Sequence, residues 1–148
     1  MKKQPLVTIF LVLILALSAC STNPELSRNR AKWDAADITH YRYELTISCF
    51  CPYTNSMPIL VEVQGSKVVS ITGSDGQPVP QDFLATFEDA TTIEGLFGIA
   101  QDSLKNADKV EITYDTRHGY PDSIVIDWIE MAIDDEISYY VKSLTVMQ

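Results

Sequence analysis

Two cysteines one residue apart, Cys49 and Cys51, are the side chains of this sequence best suited to chemistry. On a regular strand, residues i and i+2 share a face with Cα atoms roughly 6.6 Å apart, at the upper edge of the roughly 4.4 to 6.8 Å that a disulfide tolerates. A bond between them needs a local bend, which Pro52 can accommodate. Four readings stay open: a local disulfide, a labile redox pair, a soft-metal site, and reduced core cysteines. So small a ring removes little unfolded-state entropy, so stability alone is a poor reason for closing it. Two thiolates fall short of a closed zinc site, and the only histidines are His40 and His118. Cu(I), content with fewer soft ligands, suits the pair better, with Met57 as a further ligand.

The second candidate is acidic. Asp127, Glu130, Asp134, Asp135 and Glu136 fall in one ten-residue window. Calcium takes six to eight oxygens, and the ordered ligand spacing and mid-loop glycine of an EF-hand are missing, so a solvated loop is the expected reading. Asp127, between Ile126 and Trp128, reads as a strand end or a turn-bonding carboxylate. Tyr120, between Gly119 and Pro121, is expected to pack over a hairpin. Asp127, Asp134, Asp135, Glu136 and Tyr120 are carried forward as candidates for contact with a ligand or partner. The sequence has no nucleophile elbow, no His-Glu-x-x-His, no phosphate-cradling glycine loop and no dinucleotide fingerprint. No catalytic residue, resident metal or cofactor is therefore expected, and a binding role is the default.

A third cysteine has a different setting. Met1-Lys2-Lys3, an apolar run from Leu6 to Leu17, and Leu17-Ser18-Ala19-Cys20 resemble a bacterial lipoprotein signal. The run is shorter than the roughly 20 apolar residues that span a bilayer. The resemblance implies removal of residues 1–19 and an acyl chain of the palmitate type on Cys20, with residues 20–32 as lipidated cysteine and tether and a single domain over 33–148. It further implies a cell-envelope location: the periplasmic side of the outer membrane in a Gram-negative source, where Ser21 after the cysteine favours export to that membrane, and otherwise the outer face of the cell membrane.

Removing residues 1–19 from the 148 leaves 129, with 9 basic against 20 acidic residues, a formal charge of −11. Phosphate binding needs clustered Lys and Arg, so this balance disfavours nucleic acid and anionic membrane surfaces as partners. The membrane partner expected is the one reached through the lipid, alongside an envelope protein or small ligand.

These candidates must be positioned by local structure. Asn23-Pro24-Glu25 supplies a helix cap, a proline at the first helical position and an acid in the first turn, predicting a helix over about 24–37 with Leu26, Trp33 and Ala36 inward. From Tyr41 the period becomes two, with Tyr41, Tyr43, Leu45, Ile47 and Cys49 on one face. Ile59, Val61 and Val63 repeat it, Gly65-Ser66 turns the chain, and 67–72 returns. Thr91 or Thr92 can cap a second helix with Ile93, Leu96, Phe97, Ala100 and Leu104 as its stripe. Val110, Ile112 and Tyr114, then Ile124, Ile126 and Trp128, alternate around a turn at His118-Gly119, and Ile137, Tyr139 and Val141 make a last strand. The order predicts an α+β domain, an antiparallel sheet of about six strands with two helices packed on one side.

Trp33, Tyr41-x-Tyr43, Cys49-Phe50-Cys51-Pro52, Thr92-Ile93-Glu94 with Leu96-Phe97, Tyr114-Asp115, Gly119-Tyr120-Pro121, Asp127, and Asp134-Asp135-Glu136 with Tyr139 together resemble a bacterial lipoprotein family known only as a domain of unknown function, family 6174. The resemblance covers nearly all of the mature domain; His40 stands where that family is expected to carry an acid. It implies no activity. The sequence is thus expected to encode a lipid-anchored envelope protein of non-catalytic binding type, with a thiol redox or copper-handling protein using Cys49 and Cys51 as the alternative.

Overall fold

A computed structural model of the chain describes residues 23–147. The signal segment 1–19 and Cys20 lie outside the described residues. Helix α1, Pro24–Ala35, starts where the cap chemistry predicts: the Asn23 side chain accepts from the backbone N–H groups of Glu25 (2.9 Å) and Leu26 (3.2 Å). Leu26 and Trp33 turn inward, whereas Ala36 is exposed because the helix has ended.

Six strands follow in one sheet: β1 (His40–Cys49), β2 (Ile59–Gln64), β3 (Lys67–Thr72), β4 (Lys109–Tyr114), β5 (Pro121–Asp127) and β6 (Ile137–Val146). Their spatial order is β3-β2-β1-β6-β5-β4, and every described pair is antiparallel. The last strand inserts beside the first, so the two three-strand groups fuse into one sheet with β1 and β6 at its centre. Alternation sets the faces: Tyr41, Tyr43, Leu45 and Ile47 are buried on β1, Ile59, Val61 and Val63 on β2, Ile124 and Ile126 on β5. On the opposite face His40 and Arg42 hold Glu62 across the β1–β2 pair at 2.9 and 2.6 Å. Both hydrogen bonds favour the carboxylate, Arg42's most and His40's next, and lower its pKa.

The expectation of two helices is corrected to three. Between β3 and the predicted second helix the chain forms α2 (Gln81–Phe87) and then a 3₁₀ turn (Glu88–Thr91), before α3 (Ile93–Asn106). Phe83 and Phe87, one helical turn apart, are both buried, and this apolar pair makes α2 worth forming although Pro80 gives it no side-chain cap. Helix α3 is capped by Thr92, whose hydroxyl accepts from the Gly95 N–H at 2.9 Å. Its stripe runs Ile93, Leu96, Phe97, Ala100, then Ser103 in place of the expected Leu104, which is 36% exposed. Ser103 tolerates complete burial because its hydroxyl donates to the Ala100 carbonyl at 3.1 Å. The buried residues of the helices and of the sheet's inner face form one continuous core.

Candidate functional site

Antiparallel register fixes which loops share an end of the sheet. Cys49, closing β1, lies opposite Ile137 at the start of β6, and Ile137 lies opposite Ile126 near the end of β5. The Cys49–Cys51 segment and the 128–136 loop therefore emerge side by side. The other end carries the β4–β5 turn, the start of β1 and helix α1. The two ends are about 30 Å apart along β1.

At the first end, Cys49 and Cys51 sit at disulfide-bonding distance with Cα atoms 5.2 Å apart, closer than a regular strand allows. The chain bends there, and Phe50 at the apex is 83% exposed. The Met57 sulfur accepts the Ile47 backbone N–H at 3.5 Å. In the 128–136 loop, the predicted acids separate by role. Asp135 braces the loop, one carboxylate oxygen accepting from the Ile129 N–H at 2.7 Å; its other oxygen is enclosed without a hydrogen-bond partner among the described residues. Asp108 accepts from the Glu130 N–H at 3.1 Å and donates its own N–H to the Trp128 carbonyl, tying the loop to the start of β4. Asp134 takes a left-handed backbone at φ 67°. Asp134 and Glu136 are exposed. The Asp127 carboxyl is held above its ordinary range, first by desolvation and then by the charges of Asp135, Glu136, Glu130 and Asp108. That crowding is the sign of five carboxylates converging. Among the described residues no group of three or more His, Cys, Asp or Glu side chains is arranged to hold a metal ion.

The same end exposes apolar side chains that sequence reasoning passed over: Ile129 is 58%, Met131 91% and Ile133 86% exposed. Single exposed apolar residues are ordinary, but with Phe50 there are four at one end of one sheet. Their signal was present in the sequence as isoleucine and methionine spaced through an acidic loop. It could not be read as a surface without the register.

Tyr120 lies at the opposite end and is buried, edge-on to Trp33 at 5.9 Å between ring centroids. Burial, then the charges of Asp115 and Asp122, pushes its hydroxyl up to about 12. Trp33 is also edge-on to Tyr41 at 5.4 Å, and both donate to Glu94, the indole to one carboxylate oxygen and the phenol to the other, each at 3.2 Å. Tyr41 in turn accepts from the Ile93 N–H at 3.1 Å, and Tyr43 donates to the Ala90 carbonyl at 3.4 Å. Burial pushes both tyrosine hydroxyls far above their ordinary range, which keeps them donors. This network ties α1, β1 and the start of α3 together. Its groups are consumed by one another, so it is a structural joint. His118 lies beside Asp115 at 3.5 Å, half-buried in the β4–β5 turn.

A separate open groove of about 860 Å³ runs between β3 and α2, with Val68, Ile71, Leu84 and Asp89 in its wall. None of the candidate site residues Cys49, Cys51, Tyr120, Asp127, Asp134, Asp135 and Glu136 lines it.

A family of unknown function (DUF6174) matches residues 25–146, so both ends of the sheet lie within the matched segment. No curated protein and no solved structure matches the chain.

Proposed function

We propose, for a chain that belongs to the DUF6174 family, that it is a lipid-anchored interaction module of the cell envelope, held through Cys20 and working through the sheet end that carries Cys49–Cys51 and the 128–136 loop. The observation that carries this reading is the polarity of the fold: the chain enters at one end, and the exposed apolar residues crowd the other. The C-terminal part of α1 meets the start of β1 and the β4–β5 turn through Trp33, Tyr41 and Tyr120, and the Glu25 charge reaches Tyr114 at the same end. Only residues 21–23 lie between Cys20 and Pro24, where α1 begins. At about 3.3 to 3.6 Å per residue, so short a connection holds the entry end within about 15 Å of the lipid. The opposite end then faces away from the membrane, towards the periplasm in a two-membrane source or the outside in a one-membrane source.

Metabolic labelling with an alkynyl fatty acid tests the anchor. The full chain takes up label and Cys20→Ala does not; equal labelling of the two overturns the anchored reading. Photo-crosslinkers at Met131 and at Arg117 test which end works.

The redox alternative keeps one observation in its favour, the placement of Cys49 and Cys51 at bonding distance beside a largely exposed Phe50. A copper-handling role draws no such support, because those two sulfurs face each other and the Met57 sulfur already takes a backbone N–H.

A further inference from the structure

We propose that the membrane-distal end of the sheet is a docking surface for a polypeptide segment that carries lysine or arginine around an apolar centre. This rests on the interaction-module reading above and names the chemistry of the partner.

The apolar half of the surface is Phe50, Ile129, Met131 and Ile133, exposed by 83, 58, 91 and 86%. Large apolar side chains so open to water gain most when a partner covers them, at roughly 25 cal/mol for each Å² buried. Two of them are mounted on braced backbone. Phe50 is the apex of the segment closed between Cys49 and Cys51, and the N–H of Ile129 is held by Asp135. Preorganised aromatic and aliphatic anchors lose little freedom on binding, which is how a few residues come to dominate an interface.

The electrostatic half selects the partner's sign. Glu130, Asp134, Asp135 and Glu136 share the loop with Ile129, Met131 and Ile133, Asp108 is tied to that loop through the Glu130 N–H, and the charges of Asp135, Glu136, Glu130 and Asp108 act together on Asp127. Little balances it locally. Residues 127–136 contain no Lys, Arg or His, nor does 49–56. Between Lys109 and Lys142 the only basic side chains are Arg117 and His118, in the turn at the far end of the sheet, and Lys109 itself pairs with Glu111 at 3.5 Å. A partner bringing Lys or Arg relieves like-charge crowding as it binds, while an acidic partner or an anionic lipid surface adds to it. Exposed carboxylates interspersed with exposed apolar side chains in one loop thus fit a basic, apolar segment of another envelope protein.

The test uses the full chain purified in detergent and a fluorescent designed peptide of alternating lysine and leucine, with a glutamate–leucine peptide of the same length as competitor. Fluorescence anisotropy should show the lysine peptide binding, at least tenfold weaker on Met131→Ser with Ile133→Ser, at least tenfold weaker on Asp134→Asn with Glu136→Gln, and weaker again as salt rises. Asp34→Asn with Asp37→Asn, exposed acids just before β1 at the opposite end of the sheet, should leave binding unchanged. All of these positions are exposed, and circular dichroism verifies that each variant is folded. Equal binding by all variants would mean that the peptide does not read this end of the sheet, and it overturns the proposal; so does preference for the glutamate peptide. If crosslinks from Met131 instead reach a partner segment without basic residues, the interaction module stands and this proposal alone falls.

Discussion

Trp33 and Glu94, 61 positions apart in the chain, meet with the indole N–H donating to the carboxylate at 3.2 Å, and Tyr41 closes the triangle on the other carboxylate oxygen at the same distance. Helix α1 is thereby fastened to the sheet and to α3 by one side chain. Removing an acceptor that serves two part-buried donors leaves both unsatisfied, at roughly 1–3 kcal/mol for each such group. Glu94→Ala should therefore lower the unfolding free energy by about 2 to 4 kcal/mol in a urea titration, and Glu94→Gln by less, since the amide retains one acceptor oxygen.

Three glycines give predictions of opposite sign. A Cβ at Gly95 would stand 1.7 Å from the Asp89 carbonyl oxygen, and one at Gly119, where φ is +82°, would stand 2.6 Å from the Asn29 carbonyl oxygen. Both neighbours are backbone and cannot swing aside. Gly95→Ala and Gly119→Ala should each destabilise by more than about 1 kcal/mol. Gly98 lies on the exposed side of α3 with nothing within 4 Å of its Cβ position, so Gly98→Ala should stabilise by about 0.5–1 kcal/mol. Thermal melts of the three variants check the pattern.

The acidic end and the outer face of the sheet should respond to pH in opposite directions. The folded-state pKa of Asp127 is raised, so its ionisation opposes folding above that pKa and the opposition disappears as pH falls through it. Glu62, lowered by Arg42 first and by His40 next, contributes stability above its unfolded pKa and loses it as pH falls through its folded pKa. Asp127→Asn should raise Tm at pH 7 and leave it unchanged near about pH 3, where the wild-type carboxyl already carries its proton. Glu62→Gln should lower Tm at pH 7. Calorimetric scans at the two pH values decide both.

Much of this fold is legible locally. The period-two run from Tyr41 to Cys49 and the caps at Asn23 and Thr92 carry their own chemistry, and the elements form there. Helix α2 escaped because seven residues with an uncapped start give no periodicity beyond Phe83 and Phe87. The placement of β6 between β1 and β5 is set by which apolar faces pack together, and alternation within one strand does not record its neighbours. The same holds for the site. Cysteines 49 and 51 and the 127–136 acids are visible as types, but their convergence, the division of labour between Asp135 and Asp127, and the exposure of Phe50 and Met131 follow from register.

The thiol pair yields a further expectation. In exported protein Cys49 and Cys51 should resist alkylation before reduction and take two labels after it, by intact mass. Closing a ring of three residues constrains the unfolded chain little, so Cys49→Ser with Cys51→Ser should cost under about 2 kcal/mol of stability. Its larger effect should be on binding through Phe50. Titration against glutathione buffers separates the readings: a potential below about −300 mV fits a structural bond, and one near about −200 mV favours the redox alternative.

Calcium should not bind tightly at the acidic loop. Asp135 already takes the Ile129 N–H and Asp108 takes that of Glu130, so these carboxylates serve the loop. Calorimetric titration of the full chain should show nothing tighter than roughly millimolar, whereas a micromolar site lost on Asp134→Asn would contradict the assignment.

The central claim is that the end of the sheet carrying Cys49, Phe50 and the 128–136 loop is the working end of an anchored interaction module. The most direct measurement is photo-crosslinking in living cells, with a benzoylphenylalanine at Met131 in one strain and at Arg117 in another, both exposed positions at opposite ends of the sheet. The account predicts a discrete crosslinked protein from position 131, lost on Ile133→Ser with Phe50→Ser, and none of that species from position 117. Crosslinks of equal yield from both positions, or from 117 alone, would contradict it.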